Sequence, residues 1–556
     1  MHRYILIIIL MCLSACGTRA NIDMLVVNGK FVTMDDELNN NEIESIAIRD
    51  GRIVDMGKAE VMKKKYVTNR IEDVKGQLVL PGLIDAHLHM LNIGHYLTQL
   101  DLVGTESYDQ VITLVRDRVA NTNKGAWIRG RGWDQNDWSK KDFPEHAALT
   151  AVSPDHFIVL ERVDGHAVLV NQNVLTAAKI NRETPDPRGG KIMRNAQGEP
   201  TGVLIDNAID LLIPYIPKYT LSEDSLALEA AMSACLKVGL TSVHDAGVDT
   251  NHIDVYKELG RRNKLCVRVY AMLNGFDRRL LDMYYKKGPE KNLFNQFLTI
   301  ASIKLYSDGA LGSRGAALLE PYSDSPQSKG LELMMKPRLE IIATDALKWG
   351  FQVCTHAIGD RGNRNTLDAY EAAMKAVPDS ATYKRFRIEH AQVVNEADIP
   401  RFATLGVIAS MQPTHCTSDM YWAEERVGKD RIRGAYAWQK FIKNGVRLAA
   451  GSDAPVESHN PLLGVYAAVT RQDAKGWPPG GWYPDQKLSI LEALRAFTID
   501  AAYAGFEETQ KGSLTVGKMA DIVVLSKDIT TADPREILNT HVVWTMVGGK
   551  IVYRQP

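Results

Sequence analysis

The amino-acid sequence predicts an α/β protein whose main unit is a (β/α)8 barrel, or TIM barrel. Three observations in the 556 residues predict this fold. Eight apolar strand candidates alternate with helical stretches, which is the pattern of parallel βα units. Strand-rich segments lie near both ends of the chain, which predicts a composite β-sandwich domain from both termini. Roughly 110 extra residues separate the first two barrel strands, and a connection that long predicts a large insertion after barrel strand 1.

The N-terminal segment, residues 1–16, predicts a lipoprotein signal peptide rather than a part of the fold. Arg3 precedes the apolar run 5–11, which is shorter than the roughly 20 residues that cross a bilayer and is typical of a secretory signal. The segment ends in Leu-Ser-Ala-Cys at 13–16, which resembles a bacterial lipobox. The resemblance implies lipidation of Cys16 and an exported bacterial lipoprotein, anchored in the outer membrane and facing the periplasm. A plain cleaved signal with an incidental cysteine is the alternative.

The predicted sandwich combines residues 22–80 with residues 510–554. Asn28-Gly29 follows an apolar strand, and this dipeptide is typical of a β-hairpin turn. Short strands separated by turns continue to residue 80, and strands of the same character return after Gly512. We expect the two pieces to pair into one domain. The alternative is two separate β units, each attached to the barrel by itself.

The barrel is predicted for residues 81–509, with an inserted subdomain at about 105–216 that lies over the barrel mouth. The insertion has strands of its own and a hairpin candidate at 194–200. In such barrels the active site lies at the carboxyl ends of the strands. The strand candidates of the barrel are residues 83–89, 242–245, 267–273, 303–308, 352–356, 387–390, 408–412 and 448–453.

Histidines and other metal-binding groups follow several of these strands. His87 and His89 lie two residues apart at the end of the first strand, so both side chains point the same way. Two neutral imidazoles aimed at one point suit a divalent metal such as Zn²⁺, and two unrelated polar residues are the alternative. The later strands add Lys304, His356, His390 and Asp453. Each residue is weak evidence alone, but together they predict a metal centre.

Motifs at residues 81–89, 308–314, 356–360, 387–392 and 451–455 resemble those of the amidohydrolase superfamily. Two further motifs, at 130–134 and 164–166, resemble its amidohydrolase-3 branch, which includes YtcJ-like proteins and N-substituted formamide deformylase. The resemblance covers nearly the whole chain after the signal. It implies an amidohydrolase that acts on carbon–nitrogen bonds other than peptide bonds.

The resemblance also implies roles for the candidate residues. His87, His89 and Asp453 would hold one metal, with Zn²⁺ expected, and His356 and His390 would hold a second. A carboxylated Lys304 would bridge the two ions, which requires a neutral buried lysine. An uncarboxylated Lys304 beside a single metal is the alternative. Metal-activated water would attack an amide, an N-formyl or N-acyl amine or a cyclic amide, with Asp453 as general base.

Substrate binding is predicted for polar and aromatic residues of the mouth loops and the insertion. The candidates are Arg131, Trp133, Asp134, His166 and Arg314. A substrate carboxylate could pair with Arg314. Solvated loop residues with structural hydrogen bonds are an equal alternative for each candidate. We also expect Asp85 to accept a hydrogen bond from a ligand histidine rather than to bind metal.

The charge balance limits the kinds of partner. The formal net charge is −1 at pH 7, so no overall field favours nucleic acid, and the expected partner is a small-molecule substrate. The lipid anchor would add a membrane as a partner. The sequence leaves a homo-oligomer open.

Two other functions compete with the hydrolase. The first is a deaminase on the same barrel. Such relatives usually carry a glutamate shortly after the fifth-strand histidine, whereas His356 is followed by Ala357, Ile358 and Gly359. The second is a non-catalytic surface binding protein, which would have no need of Asp453.

Overall fold

The computed structural model describes residues 19–38, 40–163, 165–378 and 385–556. The predicted signal peptide, with Cys16, lies outside these residues. Across the described ranges, no helix combines the length and the apolar character that crossing a bilayer requires.

The described residues before the barrel form short strands and one helix. They are β1 (Ala20–Asn21), β2 (Met24–Val27), β3 (Lys30–Phe31), β4 (Ser45–Arg49), β5 (Arg52–Gly57), α1 (Ala59–Lys65), β6 (Tyr66–Val67), β7 (Ile71–Asp73) and β8 (Leu78–Pro81). The hairpin predicted at Asn28-Gly29 is wrong, because β2 pairs with β4 and β7, whereas β3 pairs with β8 in another sheet. The turn therefore carries the chain from one sheet to the other.

The first barrel strand, β9 (Leu83–Leu88), and α2 (Met90–Thr98) lead into the insertion. The insertion contains β10 (Leu100–Asp101), α3 (Tyr108–Ala120), β11 (Trp127–Trp133), α4 (His146–Val152), β12 (Phe157–Arg162), β13 (Ala167–Val170), α5 (Gln172–Ala177), β14 (Gly190–Arg194) and β15 (Pro200–Asp206). Its six strands form one sheet in the order β10-β11-β12-β13-β15-β14. The hairpin predicted at 194–200 is confirmed, since Arg194 pairs with Pro200 across β14 and β15.

The chain then completes the barrel. The remaining elements are α6 (Leu221–Lys237), β16 (Leu240–Val248), α7 (Thr250–Arg261), β17 (Arg268–Asn274), α8 (Arg278–Lys287), β18 (Glu290–Asn292), α9 (Leu293–Gln296), β19 (Leu298–Tyr306), α10 (Lys336–Trp349), β20 (Gln352–Ala357), α11 (Asp360–Ala376), β21 (Arg387–His390), α12 (Ile399–Leu405), β22 (Ile408–Met411), α13 (Pro413–Asp419), α14 (Ala423–Arg431), α15 (Trp438–Lys443), β23 (Leu448–Ala450), α16 (Pro461–Thr470), α17 (Ile490–Ala496) and α18 (Ile499–Ala504). Parallel strands follow the order β23-β22-β21-β20-β19-β17-β16-β9 in the described part of the chain. The predicted (β/α)8 barrel is confirmed, and each predicted strand overlaps an observed one.

The ends of β9 and β23 meet just beyond the ladder. The Asp453 backbone N–H donates to the carbonyl of His87 at 2.7 Å, and the His89 N–H donates to the carbonyl of Ala454 at 2.8 Å. Gly451 permits this approach, because a Cβ at that position would lie 2.5 Å from the backbone nitrogen of His87. The two strands that carry His87 and Asp453 are thus held side by side.

The last strands, β24 (Ile522–Leu525), β25 (Val542–Val547) and β26 (Lys550–Arg554), join the N-terminal ones. One sheet has the order β26-β25-β24-β8-β3, and the other has the order β5-β4-β2-β7. Met24 and Ile46 from the second sheet share a buried core with Ile522 and Trp544 from the first. This confirms the composite sandwich from both termini, because the first sheet combines C-terminal strands with the N-terminal strands β3 and β8.

A buried ion pair joins the sandwich to the barrel. Arg268, the first residue of β17, donates to both carboxylate oxygens of Asp521, at 2.7 Å and 3.0 Å. The backbone N–H of Gly548 also donates to Asp521, at 2.7 Å. Since Arg268 begins its strand, this pair lies at the amino end of the barrel, opposite the expected active site.

Candidate metal centre

The carboxyl ends of the barrel strands bring the six predicted metal-binding residues together. Asp453 Oδ1 lies 3.2 Å from His89 Nε2 and 3.6 Å from His87 Nε2. The amine of Lys304 lies 2.9 Å from His87 Nε2. The His390 ring lies 5.1 Å from the His87 ring and 4.5 Å from the His356 ring, between centroids. Residues separated by more than 360 positions in the chain therefore form one cluster.

Backbone strain helps to aim two of these side chains. His390 and Asp453 have φ angles of 72° and 58°. The left-handed region costs a residue with a Cβ on the order of 1–3 kcal/mol, and such residues persist only where the surrounding structure fixes them. Both strained residues end a barrel strand or follow it closely, so the strain is located at the cluster.

Glu389 fixes the orientation of the His87 ring. The Nδ1–H of His87 donates to Glu389 Oε2, so Nε2 presents a lone pair to the barrel interior. Glu389 is itself held by Arg387, whose Nε lies 2.8 Å from Oε1. Burial raises the pKa of Glu389, but the Arg387 charge outweighs this and the pKa lies well below its ordinary value. The carboxylate is therefore ionised and can orient the imidazole.

The second histidine of the first strand is oriented by a backbone group. His89 Nδ1 lies 2.9 Å from the carbonyl of Ala246, to which it donates a hydrogen bond. Its Nε2 is then left with a lone pair on the side of Asp453. His87 and His89 thus both present the nitrogen form that binds a cation.

Burial keeps three imidazoles of the cluster, those of His87, His356 and His390, neutral. It lowers the pKa of His87 to about 4 and that of His356 to about 3, with the Lys304 charge acting in the same direction. Burial also holds the pKa of His390 well below its ordinary value. Neutral imidazole is the form that binds metal, so the electrostatics of the cluster suit a cation.

Unpaired buried atoms provide a second test of whether a metal fits. Nε2 of His356 and Nδ1 of His390 are buried and have no hydrogen-bond partner among the described residues. A buried polar atom without a partner costs free energy, and coordination to a cation would remove that cost. With imidazoles and one carboxylate as donors, the cluster fits Zn²⁺ or a similar divalent ion.

Lys304 is fully enclosed in the barrel. Burial lowers the pKa of its amine, which favours the neutral form that carboxylation requires. The structure places the amine against His87 Nε2, at the edge of the cluster. Its carboxylation stays a prediction.

Two residues near the centre have roles that the sequence did not reveal. Asp85 accepts a hydrogen bond from the ligand histidine His87, as expected, but from its backbone N–H at 3.0 Å and not from its ring, and it also accepts from the backbone N–H of Ser452 at 3.1 Å. Glu389 orients the ring instead. The sequence signal for this role is that Glu389 follows Arg387 by two residues on the sixth strand. Residues two apart lie on one face of a strand, so the two side chains can pair.

His415 is a further histidine at the cluster that the sequence interpretation missed. Its Nε2 lies 3.9 Å from Asp453 Oδ2, and its ring lies parallel to that of His390. It belongs to α13, four residues beyond the last residue of the seventh strand. The sequence signal is a histidine three residues after the predicted strand 408–412, and the helix that follows the strand places it beside Asp453.

The insertion residues predicted to bind substrate have protein partners. Arg131 lies 4.2 Å over the ring of Tyr96, measured to the centroid, and donates to the carbonyl of Val163 at 3.2 Å. Trp133 is buried in the hydrophobic core of the insertion, and its indole N–H donates to the carbonyl of Leu160 at 2.8 Å. Trp133 therefore supports the insertion from within.

Asp134 and His166 also have protein partners. Asp134 contacts Arg162 at 3.1 Å, and Nδ1 of His166 lies 2.8 Å from Asp206. Asp164, in the same motif as His166, lies outside the described residues. Their part in substrate binding stays a prediction.

Arg314 is likewise paired within the chain. Its guanidinium makes two hydrogen bonds to Asp324, at 3.1 Å and 2.8 Å. Arg426 also bonds to Asp324. Pairing with a substrate carboxylate would require Arg314 to exchange this partner, and that role also stays a prediction.

Two aromatic rings lead from solvent to the cluster. The ring of Tyr306, the last residue of β19, lies 5.8 Å from the His356 ring and 5.1 Å from the Lys304 amine. Phe276 stacks on the outer side of Tyr306 at 5.6 Å, with 14° between the planes, and is 54% exposed. This pair, termed the aromatic wall, gives the approach to the cluster an apolar side.

Comparison with known proteins identifies the family. The model of the amidohydrolase family matches residues 70–553. The chain belongs to the amidohydrolase family. The expected resemblance to YtcJ-like proteins and N-substituted formamide deformylase is thereby confirmed.

Several relatives of this amidohydrolase span almost its full length. Protein LONG AFTER FAR-RED 3 of Arabidopsis thaliana is 36% identical, over 96% of this chain and 91% of the relative. Putative amidohydrolase YtcJ of Bacillus subtilis is 32% identical, over 92% and 96%. N-substituted formamide deformylase of Arthrobacter pascens is 25% identical, over 96% and 98%.

A solved structure supports the same assignment. An uncharacterized metal-dependent hydrolase from Pyrococcus horikoshii superposes with a TM-score of 0.76 and 28% sequence identity, over 92% of this chain and 99% of the other. The protein is therefore a metal-dependent hydrolase of the amidohydrolase superfamily. It acts on carbon–nitrogen bonds other than peptide bonds, and its barrel carries a candidate His/Asp metal site.

Proposed function

We propose that this amidohydrolase hydrolyses an amide, an N-formyl or N-acyl amine, or a cyclic amide, with Asp453 as the general base. The observation that carries the proposal is the position of Asp453 against His87 and His89, at the open end of the barrel. Similarity to N-substituted formamide deformylase over nearly the whole chain supports the bond type.

The chain supplies the means to hold a cation and to move a proton. His87, His89 and Asp453 each offer one ligand atom, and these atoms all lie within 4.8 Å of one another. A divalent ion held by these residues would polarise a carbonyl oxygen and would make water nucleophilic at neutral pH. Histidine ligands held by Glu389 and the Ala246 carbonyl keep this arrangement in place without further adjustment.

Asp453 has the charge state that a base requires. Burial raises its pKa, but the polar groups around it, His89 first, outweigh this and hold the pKa well below its ordinary value. The carboxylate is therefore ionised at neutral pH and can accept a proton from water. The same carboxyl group can return that proton to the leaving nitrogen as the C–N bond breaks.

The aromatic wall favours substrates with an apolar substituent. Tyr306 and Phe276 would stack against a flat group on the amine or acyl side while the scissile bond lies at the cluster. We therefore expect aromatic substituents to be preferred over methyl substituents of the same amide type.

A substrate panel tests the proposal. Formamides, N-acyl amines, cyclic imides and heterocycles with a ring-bound amino group would be incubated with the Zn²⁺-loaded protein and with the protein plus a chelator. Released amine and ammonia would be measured separately. We expect release of amine or opening of the ring in the zinc-loaded sample alone. Ammonia released from ring-bound amino groups would support the deaminase alternative instead, and no turnover of any class would contradict an enzymatic role.

The Asp453→Asn variant tests the base. Loss of a general base costs typically 10²–10⁴-fold, so we expect kcat to fall by about 10³-fold. The exposed Asp210→Asn variant is the matched control and should keep the wild-type rate. A near wild-type kcat for Asp453→Asn would remove the assigned role.

We also propose the lipid anchor at Cys16, on the support of the sequence alone. Labelling with a radioactive fatty acid in a bacterial host should mark the wild-type chain, and Cys16→Ala should abolish the label. Equal labelling of both chains would contradict the anchor. Fractionation of the labelled membranes then tests the predicted outer-membrane location.

A further inference from the structure

A partly exposed carboxylate, that of Asp419, lies at the mouth of the barrel. Asp419 and His415 are four residues apart on α13, so the two side chains lie on one face of the helix, one turn apart. His415 Nε2 lies 3.9 Å from Asp453 Oδ2. Because α13 follows the carboxyl end of β22, Asp419 lies one turn farther out from the strand than His415 does. The helix face that reaches Asp453 therefore also carries a carboxylate toward the mouth.

Groups that follow three consecutive barrel strands surround Asp419. Gln392, two residues beyond the end of β21, donates from its Nε2 to Asp419 Oδ2 at 3.0 Å. The helix of Asp419 follows β22, and Glu457, on the loop after β23, is a second carboxylate whose charge acts on Asp419. Asp419 is thus part of the side of the mouth that the sixth, seventh and eighth strands form.

Asp419 has hydrogen-bond donors but no basic partner. The hydroxyl of Tyr436 and the amide of Gln392 both donate to Oδ2, and no described residue donates to Oδ1. No lysine or arginine in the described part of the chain forms an ion pair with this carboxylate. Burial raises the pKa of Asp419 more than the hydrogen bond from Tyr436 and the neighbouring His415 lower it. Since carboxylates in such surroundings are usually paired, a bound cation would supply the missing partner.

The aromatic wall lies across the mouth from Asp419. Tyr306 ends β19 and Phe276 follows β17, whereas Asp419 follows β22. In the strand order β22-β21-β20-β19-β17, the first of these strands is three places and the second four places from β22. In a closed barrel of eight strands, such positions lie on opposite sides. A substrate at the metal centre therefore meets an apolar side and a negatively charged side.

We propose that Asp419 selects substrates with an ammonium group, which it binds on the side of the mouth opposite the aromatic wall. Such a substrate carries an aromatic group on one side of the scissile C–N bond and a protonated amine on the other. The ammonium N–H donates to Oδ1, while Tyr436 and Gln392 hold Oδ2 and fix the orientation of the carboxylate. This inference rests on the proposed hydrolysis and adds the class of its substrate.

Binding of zinc-chelating probes tests the proposal without turnover. The probes are hydroxamates with alkyl chains of increasing length that end in an ammonium group, and matched compounds that end in a methyl group instead. The hydroxamate would bind the Zn²⁺ of the loaded protein, and the chain length sets how far the terminal group reaches. Calorimetry gives the Kd of each compound for the wild type, Asp419→Asn, Asp419→Glu and a control variant.

The control variant is Asp473→Asn. Asp473, like Asp419, is partly exposed and accepts from a tyrosine hydroxyl, that of Tyr421, so the two substitutions remove a similar carboxylate.

In the wild type, we expect the ammonium compound of at least one chain length to bind at least about tenfold more tightly than its methyl partner. A hydrogen bond to a charged group is strong enough for such a preference. The preference should vanish in Asp419→Asn, which removes the charge, and persist in Asp419→Glu, which keeps it. The Asp473→Asn control should bind all compounds as the wild type does.

Several results would overturn the proposal. They are a wild type that binds no ammonium probe or prefers none, a preference that survives in Asp419→Asn, and equal loss of the preference in Asp419→Asn and in either Asp419→Glu or Asp473→Asn. Unchanged circular dichroism and melting temperature establish that each variant is folded. Because Kd is measured without turnover, failure here is distinguishable from failure of the proposed hydrolysis.

Discussion

Two buried arginine–carboxylate pairs lie at opposite ends of this barrel and serve different purposes. Arg387 and Glu389 are fully buried near the carboxyl ends of the strands, and the second oxygen of Glu389 accepts from His87. Arg268 and Asp521 are almost as buried at the amino end, where the other partner of Asp521 is the Gly548 backbone. The same chemical pair therefore orients a metal ligand at one end and joins two domains at the other.

The difference follows from the partners that each carboxylate has besides its arginine and from how far apart the two paired residues lie in the chain. Arg387 and Glu389 are two residues apart on one strand, so their pairing adds no long-range contact, and Oε2 of Glu389 accepts from both Arg387 Nη2 and the His87 imidazole. Arg268 and Asp521 are 253 positions apart, so their pairing closes the sandwich onto the barrel. Function at the carboxyl end and stability at the amino end is the division expected of such barrels.

The largest effect is expected from breaking the structural pair. Asp521→Asn leaves the Arg268 charge buried without its partner, which should lower the free energy of unfolding by about 3–5 kcal/mol. Urea titration measures this change. The exposed pair Arg278–Asp282 is the control, and Arg278→Met should leave stability unchanged. A stability loss no larger than that of the control would contradict the role of Asp521.

Zinc affinity should distinguish the two pairs, because Glu389→Gln should weaken it and Asp521→Asn should not. The glutamine cannot hold the His87 ring as a carboxylate does, so zinc affinity should fall by 10–100-fold. Competition against a chromogenic chelator measures it. Asp521→Asn, measured below its melting temperature, should bind zinc as the wild type does. Equal zinc affinity in both variants would show that the pairs do not differ in this way.

Replacing both members of the structural pair should be milder than breaking it. Arg268→Met combined with Asp521→Leu removes both buried charges, and such replacements are often neutral. We expect the double variant to be at least about 2 kcal/mol more stable than Asp521→Asn, again by urea titration. A double variant as unstable as the single one would indicate that the Gly548 contact, and not the ion pair, holds the domains.

The smallest effect expected is a pH dependence of the structural pair. Burial raises the pKa of Asp521, but the charge and hydrogen bonds of Arg268 outweigh it, so the folded-state pKa lies below its ordinary value of about 3.9. A lowered folded-state pKa stabilises the protein above the unfolded-state value, and this contribution is lost as the pH falls. The stability difference between wild type and Asp521→Asn should therefore be larger at pH 6 than at pH 3. A difference that grows on acidification would reverse the assigned sign.

The sequence by itself determined the fold class and most of the ligand chemistry. Apolar strands alternating with helices predict parallel βα units, and a histidine pair two residues apart must point to one side of its strand. These are local rules of backbone geometry, and they need no knowledge of distant residues. The hairpin at 194–200 followed from the same kind of local rule.

Only the tertiary structure decided which distant groups meet. The turn at Asn28-Gly29 joins two sheets rather than two paired strands, because Phe31 is buried in a core shared with the C-terminal strands. Glu389 rather than Asp85 orients His87, and His415 reaches Asp453, because barrel closure sets these side chains face to face. Contacts of this kind depend on the packing of whole strands and helices, which no local pattern specifies.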